Sequence, residues 1–175
     1  MDYILLIITI LLGIISSYIA SYFFLLFFIK SKKPKIIISN HISKVEFKGE
    51  TNYLFKFVNK TKSEIFDIKV EPKFYKPFGD TKGKNLNGKD IQLEDNFFMH
   101  IPQQKEDDKF NLHAMRVRTL KELDTEWTDE ASFIGLTIIA KHSLSGLSKV
   151  FYKEFNTVDC ITEKKFASGD DLNVY

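Results

Sequence analysis

Cysteine is almost absent: Cys160 stands alone, which rules out an intramolecular disulfide and fits a reducing compartment. Four prolines and eight glycines in 175 residues are too few for a collagen-like or proline-rich extended chain. Arginine is reduced to Arg116 and Arg118, so the planar forks that grip phosphates and base edges are scarce. Charge is missing from one end, where Asp2 is the only charged side chain before Lys30. Residues 36–175 carry 21 cations and 22 anions, a net charge of −1, which argues against a nucleic-acid partner.

The charge-free run from Tyr3 to Ile29 would extend about 40 Å as a helix, against a hydrocarbon core of about 30 Å. That predicts one tilted membrane span, because no proline or polar turn divides it. A cleavable leader fits less well: Met1-Asp2 is no basic start, the run is too long, and Tyr18 spoils the small-x-small pattern before Ala20. Lys30, Lys32, Lys33 and Lys35 follow the run, so the positive-inside rule places the C-terminal part in the cytoplasm, at the plasma (inner) membrane. Those lysines are the expected contacts to an anionic lipid leaflet, each contributing about 1 kcal/mol before screening. With this topology Asn59-Lys60-Thr61 is a turn rather than a glycosylation acceptor. Gly13, Ser16, Ser17, Ala20 and Ser21 recur at helical spacing, a small-residue face on which backbones can approach and the helix can self-associate into a homo-oligomer.

After Lys35 the hydrophobic period changes to two, the signature of strands. Val45 and Phe47, then Tyr53 to Val58, read as a hairpin about Gly49-Glu50; Phe66, Ile68 and Val70 begin a third strand, which Pro72 and Pro77 confine to an edge or bulge. Gly79 to Asp90 reads as loop. Short strands are expected at Ile91 and Leu93, at Phe97–Ile101, at Phe110–Val117 and near Cys160–Phe166, with Lys121–Glu130 an acidic connection. Phe133–His142 carries the clearest alternation, turned by Ser143–Ser148 into Lys149–Phe155. About eight short strands at hairpin spacing predict an all-β sandwich, with Phe55, Phe57, Phe66, Ile68, Ile134, Leu136 and Ile138 in its core. The implied layout is an anchor over 1–29, a basic linker over 30–35, a β-sandwich domain over 36–168 and a tail over 169–175.

Chemistry is thinly signposted. His41, His100, His113 and His142 lie far apart with no cysteine or carboxylate at ligand spacing, so no metal and no cofactor is expected. Ser143 has no nucleophile elbow and Cys160 no sequence-local activating partner. Asp124, Glu126, Asp129 and Glu130 lack the pattern of a calcium loop, and the Gly79–Lys84 stretch lacks the Walker spacing. No catalytic residue is assigned, and a non-enzymatic role is expected.

The order of features is similar to a known family. The basic run from Lys30 to Lys35, then IIISNHISKVEFKGETNYLFKFVNKTKSEIFDIKVEPKFYKP and later SFIGLTIIAKHSLSGLSKVFYKEF, resembles the second membrane helix and cytoplasmic domain of inward-rectifier potassium channels. Leu54-Phe55-Lys56-Phe57-Val58-Asn59 loosely matches that family's [Leu/Met]-aromatic-basic-valine-x-asparagine pattern, with Phe57 in the place of the valine. The resemblance implies an immunoglobulin-like sandwich and contacts from Lys32, Lys33 and Lys35 to anionic phosphoinositides. No Thr-Val-Gly-Tyr-Gly-like filter stands in the chain, so by itself it is not a potassium-selective channel. Two roles follow: a single-pass membrane protein whose cytoplasmic domain senses or binds a protein partner, or an oligomeric pore-forming effector triggered through that domain.

Overall fold

Unbroken apolarity, an abundance of leucine and isoleucine, a single glycine and no proline produce α1, Asp2–Ser31. Pro34, three residues past its end, cannot continue a helix. Lys30, first residue of the expected linker, thus belongs to the last helical turn. The computed structural model describes residues 2–47, 49–78, 85–105, 108–127 and 130–175. They divide into two units between Lys33 and Pro34.

Among the described residues the second unit has nine strands: β1 (Ile36–Phe47), β2 (Glu50–Asn59), β3 (Ile65–Phe78), β4 (Asn85–Asp90), β5 (Phe97–Ile101), β6 (Ala114–Thr119), β7 (Phe133–His142), β8 (Ser148–Phe155) and β9 (Ile161–Thr162). One sheet has the order β6-β2-β1-β9, with β9 parallel to β1; the other runs β4-β3-β7-β8, and β5 joins the same edge of β3 that β4 extends. Both sheets feed one core. Tyr53, Phe55 and Phe57 of β2 and Val117 of β6 meet Ile65, Ile68 and Val70 of β3, Ile134, Leu136, Ile138 and Ala140 of β7, and Phe155 of β8. The Phe55 and Phe155 rings lie 5.8 Å apart across the interior. Each such fully buried side chain stabilises the fold by roughly 1.5–3 kcal/mol.

The alternation in β7 is realised without exception, all four inward residues being fully buried. In β3 it is not. Ile65, not Phe66, is buried together with Ile68, because the pairing with β7 shifts between Phe66 and Lys69 and Asp67 adopts φ +50°. A bulge adds one residue and moves side chains to the opposite face. Phe66 therefore leaves the expected core and packs on the His100 ring at 5.1 Å.

Pro72 and Pro77 sit inside β3, the longest strand, at positions where no donor is needed. Pro72 faces the gap between β5 and β4, and its carbonyl accepts from Ile91 N at 3.0 Å. Pro77 lies beyond Tyr75, the last residue of β3 paired with β7.

Other boundaries move as well. The end of the expected loop is strand: Asn85–Asp90 pairs with β3 although its sequence, Asn-Leu-Asn-Gly-Lys-Asp, has no apolar alternation and every residue is exposed. Residues 79–84 of that loop lie outside the described residues. Ile91 and Leu93 are not strand, yet both are buried as plugs of the core edge. The strand expected from Phe110 begins at Ala114. The one expected near Cys160–Phe166 shrinks to two residues after a single 3-10 turn, Val158–Cys160. The acidic connection contains α2 (Leu123–Glu126), whose Leu123 is buried.

Candidate functional site

On α1 the helical repeat puts Gly13, Ser16, Ser17, Ala20 and Ser21 along one face, all exposed. A Cβ at Gly13 would meet nothing within 4 Å. The Ser16 hydroxyl donates to Gly13 O at 3.0 Å and that of Ser17 to Ile14 O at 2.8 Å, so both are satisfied within the helix. Among the described residues α1 is the one helix long and apolar enough to cross a membrane. Lys30 and Lys33 are exposed and Lys32 is half-buried. Lys35 belongs to the β unit: its N–H donates to Thr61 Oγ1 at 2.8 Å and its carbonyl accepts from Lys60 N at 2.8 Å, fixing the start of β1 while its side chain stays exposed.

The densest polar construction lies on the outer face of the β6-β2-β1-β9 sheet. Strand alternation sends Asn52, Leu54 and Lys56 of β2 to the face opposite Tyr53, Phe55 and Phe57, beside Arg116 and Arg118 of β6. The chain after β9 crosses this face. Ser43 Oγ donates to Lys164 O at 2.6 Å and Ser39 Oγ to Leu172 O at 2.8 Å. Lys56, only 1% exposed, donates to the Ala167 and Asp171 carbonyls, each at 2.6 Å. Burial, reinforced by nearby Arg116, pulls its pKa below the ordinary lysine value. Arg116 also donates to Ala167 O at 2.8 Å. Phe166 bridges to Val174, and Lys165 and Tyr175 exchange main-chain hydrogen bonds. Residues 169–175, set apart in the sequence as a tail, are thus pinned to the sheet.

The same segment is held at its bend by Asp170, which takes His113 Nε2 at 2.6 Å and Lys60 Nζ at 2.6 Å. Burial raises the Asp170 carboxyl, but the hydrogen bonds from Lys60 and His113 outweigh it and leave the pKa below the ordinary value. The second nitrogen of buried His113 faces Asp108 Oδ2 at 3.3 Å. His113 therefore joins two carboxylates. This is a brace between the β5–β6 connection and the C-terminal segment.

Beyond the segment the face stays open as a cavity of about 300 Å³ lined by Ser43, Val45, Leu54, Arg116, Arg118 and Phe166. Asn52 also borders it, and its Oδ1 is buried without a partner. Arg118 is engaged by Glu94 through two contacts. The cavity lining mixes apolar Val45, Leu54 and Phe166 with Glu46, Lys165 and the two arginines, both of which already have acceptors within the chain. A second polar knot lies at the far end of the core: buried Tyr53 donates to Asp124, and Lys44 Nζ meets Asp124 Oδ2 at 2.6 Å. Burial, then the Asp124 carboxylate, pushes the Tyr53 hydroxyl up to about 12.

The remaining histidines are scattered. His100 is at the β5 edge, His142 is buried at the end of β7 with its Nδ1 accepting from Leu144 N at 3.1 Å, and His41 is in the irregular part of β1. Cys160 is half-buried, with Thr157 Oγ1 at 4.0 Å. Among the described residues no three His, Cys, Asp or Glu side chains converge as metal ligands. Asp124 and Glu126 of the acidic run are paired with lysines, Lys44 for the first and Lys89 and Lys121 for the second, whereas Asp129 lies outside the described residues. Sequence reading gave Lys56, Arg116, Arg118 and His113 no place in a common site. The available signal was a lysine at an alternating position amid aromatics, flanked in space by the only arginines. No protein-family model and no curated protein matches the chain.

Proposed function

We propose that this chain is a single-pass membrane protein whose β unit is a cytoplasmic, non-enzymatic sensing or interaction module. One helix without charge from Tyr3 to Ile29, followed at once by a lysine-rich stretch, carries the reading, because that pattern both anchors a chain and orients it. The two sheets around one core support an immunoglobulin-like sandwich, consistent with the resemblance to inward-rectifier cytoplasmic domains. The half-open outer face, with its arginine rim and built-in C-terminal strap, is the surface on which a cytoplasmic partner would be read. Self-association is assigned to the face of Gly13, Ser16, Ser17, Ala20 and Ser21, and attraction to anionic lipid to Lys30, Lys32, Lys33 and Lys35.

The test is fractionation of the full-length protein. It should stay with membranes through an alkaline carbonate wash, and Leu11→Lys with Ile15→Lys should release it. A parent chain found in the wash supernatant would overturn the reading.

A further inference from the structure

The loops of the β unit fall at two ends, and they differ. One end gathers the start of β1, the β2–β3 connection (60–64), the β5–β6 connection (102–113) and the β7–β8 turn (143–147), since Ile36 pairs with Asn59, and Ile65 with both Ile101 and His142. The other end gathers the β1–β2 and β6–β7 connections. At the first end three large apolar side chains stand in solvent at turn tips: Phe110 at 82%, Leu144 at 71% and Leu112 at 57% exposure.

These side chains are held out by construction. The Asp108 carboxylate accepts from Phe110 N at 3.0 Å and Leu112 N at 2.7 Å and is itself backed by His113. Asn111 takes φ +52° to close the turn. In the other turn, Leu144 N donates to His142 Nδ1, Ser143 N to Glu64 O at 3.2 Å and Gly146 N to His142 O at 3.0 Å. Two braced turns at the same end that present Phe and Leu to water run against the usual use of such residues, and apolar side chains exposed on one end of a domain mark an interaction surface.

The same end carries four exposed lysines, Lys35, Lys62, Lys105 and Lys109. Glu64 at this end faces His100, and Glu106 and Asp107 lie outside the described residues. The carboxylates of Asp108 and Asp170 at this end are engaged by His113 and Lys60, whereas the opposite end is acidic, with Glu122, Asp124, Glu126 and Glu130 against Lys121 on the β6–β7 connection. Only Lys32 to Lys35 separate α1 from β1 in the chain, at most about 14 Å of extended backbone. If α1 spans a bilayer, the start of β1 therefore emerges close to lipid headgroups.

We propose that the turns 108–112 and 143–147 form a lipid-contact surface, with Phe110, Leu112 and Leu144 entering the interfacial region of an anionic bilayer and Lys35, Lys62, Lys105 and Lys109 meeting its headgroups. Apolar tips with basic flanks are the chemistry of interfacial binding. The inference rests on the membrane-anchor reading and adds a second contact to it.

Tryptophan reporters test it in the full-length protein reconstituted into lipid nanodiscs containing phosphatidylglycerol. The native Trp127, on the β6–β7 connection, serves as the reference. Phe110→Trp and Leu144→Trp should each add an indole quenched by acyl-chain-brominated lipid and shielded from acrylamide, while Trp127 in the parent is not quenched by the lipid. Lys62→Glu with Lys109→Glu, placed in the Phe110→Trp background, should weaken the lipid quenching at least twofold. Added indoles that acrylamide reaches and brominated lipid does not would overturn the inference while leaving the anchor intact. A chain that fails to co-elute with the discs would remove the anchor and this surface together.

Discussion

The helix and the β unit obtain their order from different sources. Within α1 every described side chain is exposed or nearly so, and its serines are satisfied by its own carbonyls, so the apolar surface it presents needs lipid or another helix to cover it. The β unit covers itself: two sheets close on one core, its openings are plugged by Ile91, Leu93 and Leu123, and its C-terminal segment is pinned by buried Lys56 and by Arg116. A substitution on the helix should thus change where the protein is and with how many copies. One in the β unit should change whether it folds.

The strongest way to break this contrast is in the core. Phe55→Ala or Leu136→Ala, each at a fully buried site, should cost about 3–5 and 2–5 kcal/mol in denaturant unfolding of the β unit. Leu11→Ala in the helix should cost that transition nothing. A core loss below about 0.5 kcal/mol would mean the strand faces are reversed.

Next in size is the strap. Lys56→Met keeps the aliphatic stem but leaves the Asp171 carbonyl without its donor and Ala167 O with Arg116 alone, at a cost of about 1–3 kcal/mol. Limited proteolysis should cut first after residue 163. Unchanged stability and unchanged cleavage would show that Arg116, Asp170 and the Ser39 and Ser43 hydroxyls hold the segment without Lys56.

The pH dependence sharpens the same picture. Asp108, Asp124 and Asp170 have folded-state pKa values below their ordinary ones. Their stabilisation is present above the unfolded carboxylate pKa of about 3.9 and is lost as pH falls through the lower folded values. At the alkaline side Tyr53 and Tyr152 are raised from 10.0 to about 12, chiefly by burial, so stability that is full below pH 10.0 drains away as pH rises through about 12. Tyr53→Phe should flatten part of that alkaline slope in a melting-temperature series. An unchanged slope would place the titration elsewhere.

The smallest effects fall on glycines. A Cβ at Gly135 would sit 2.6 Å from the Tyr152 hydroxyl oxygen and 2.8 Å from the Tyr75 ring. Gly135→Ala should therefore cost about 1 kcal/mol, since both rings lie on the outer face and can swing. Gly13→Leu and Ser17→Leu should leave the unfolding of the β unit untouched yet shift the detergent-solubilised protein toward monomer by light scattering. If both variants associate like the parent, the small-residue face is not the contact.

These two regions also differed in how much the sequence disclosed. The helix is legible from one property, absence of charge, and its bounds move by two residues at most. In the β unit β7 was legible because its alternation is uninterrupted, the β1–β2 hairpin because of its Gly49-Glu50 turn and the Tyr53, Phe55, Phe57 series, and six of the seven expected core residues are fully buried. Phe66 failed because a bulge is set by long-range pairing with β7 rather than by local pattern. Strand β4 was invisible because an exposed edge has no buried side to write an alternation. The polar face was hidden for a further reason: Lys56, Arg116, His113 and Asp170 are brought together only by sheet order and by a C-terminal segment that returns more than 50 residues along the chain.

The lone Cys160, half-buried and within the β unit, is a native reporter for the central claim of a single span with a cytoplasmic β unit. A membrane-impermeant maleimide should leave Cys160 unlabelled in intact spheroplasts and label it once the membrane is opened with detergent. Equal labelling before and after permeabilisation would put the β unit outside and contradict the account.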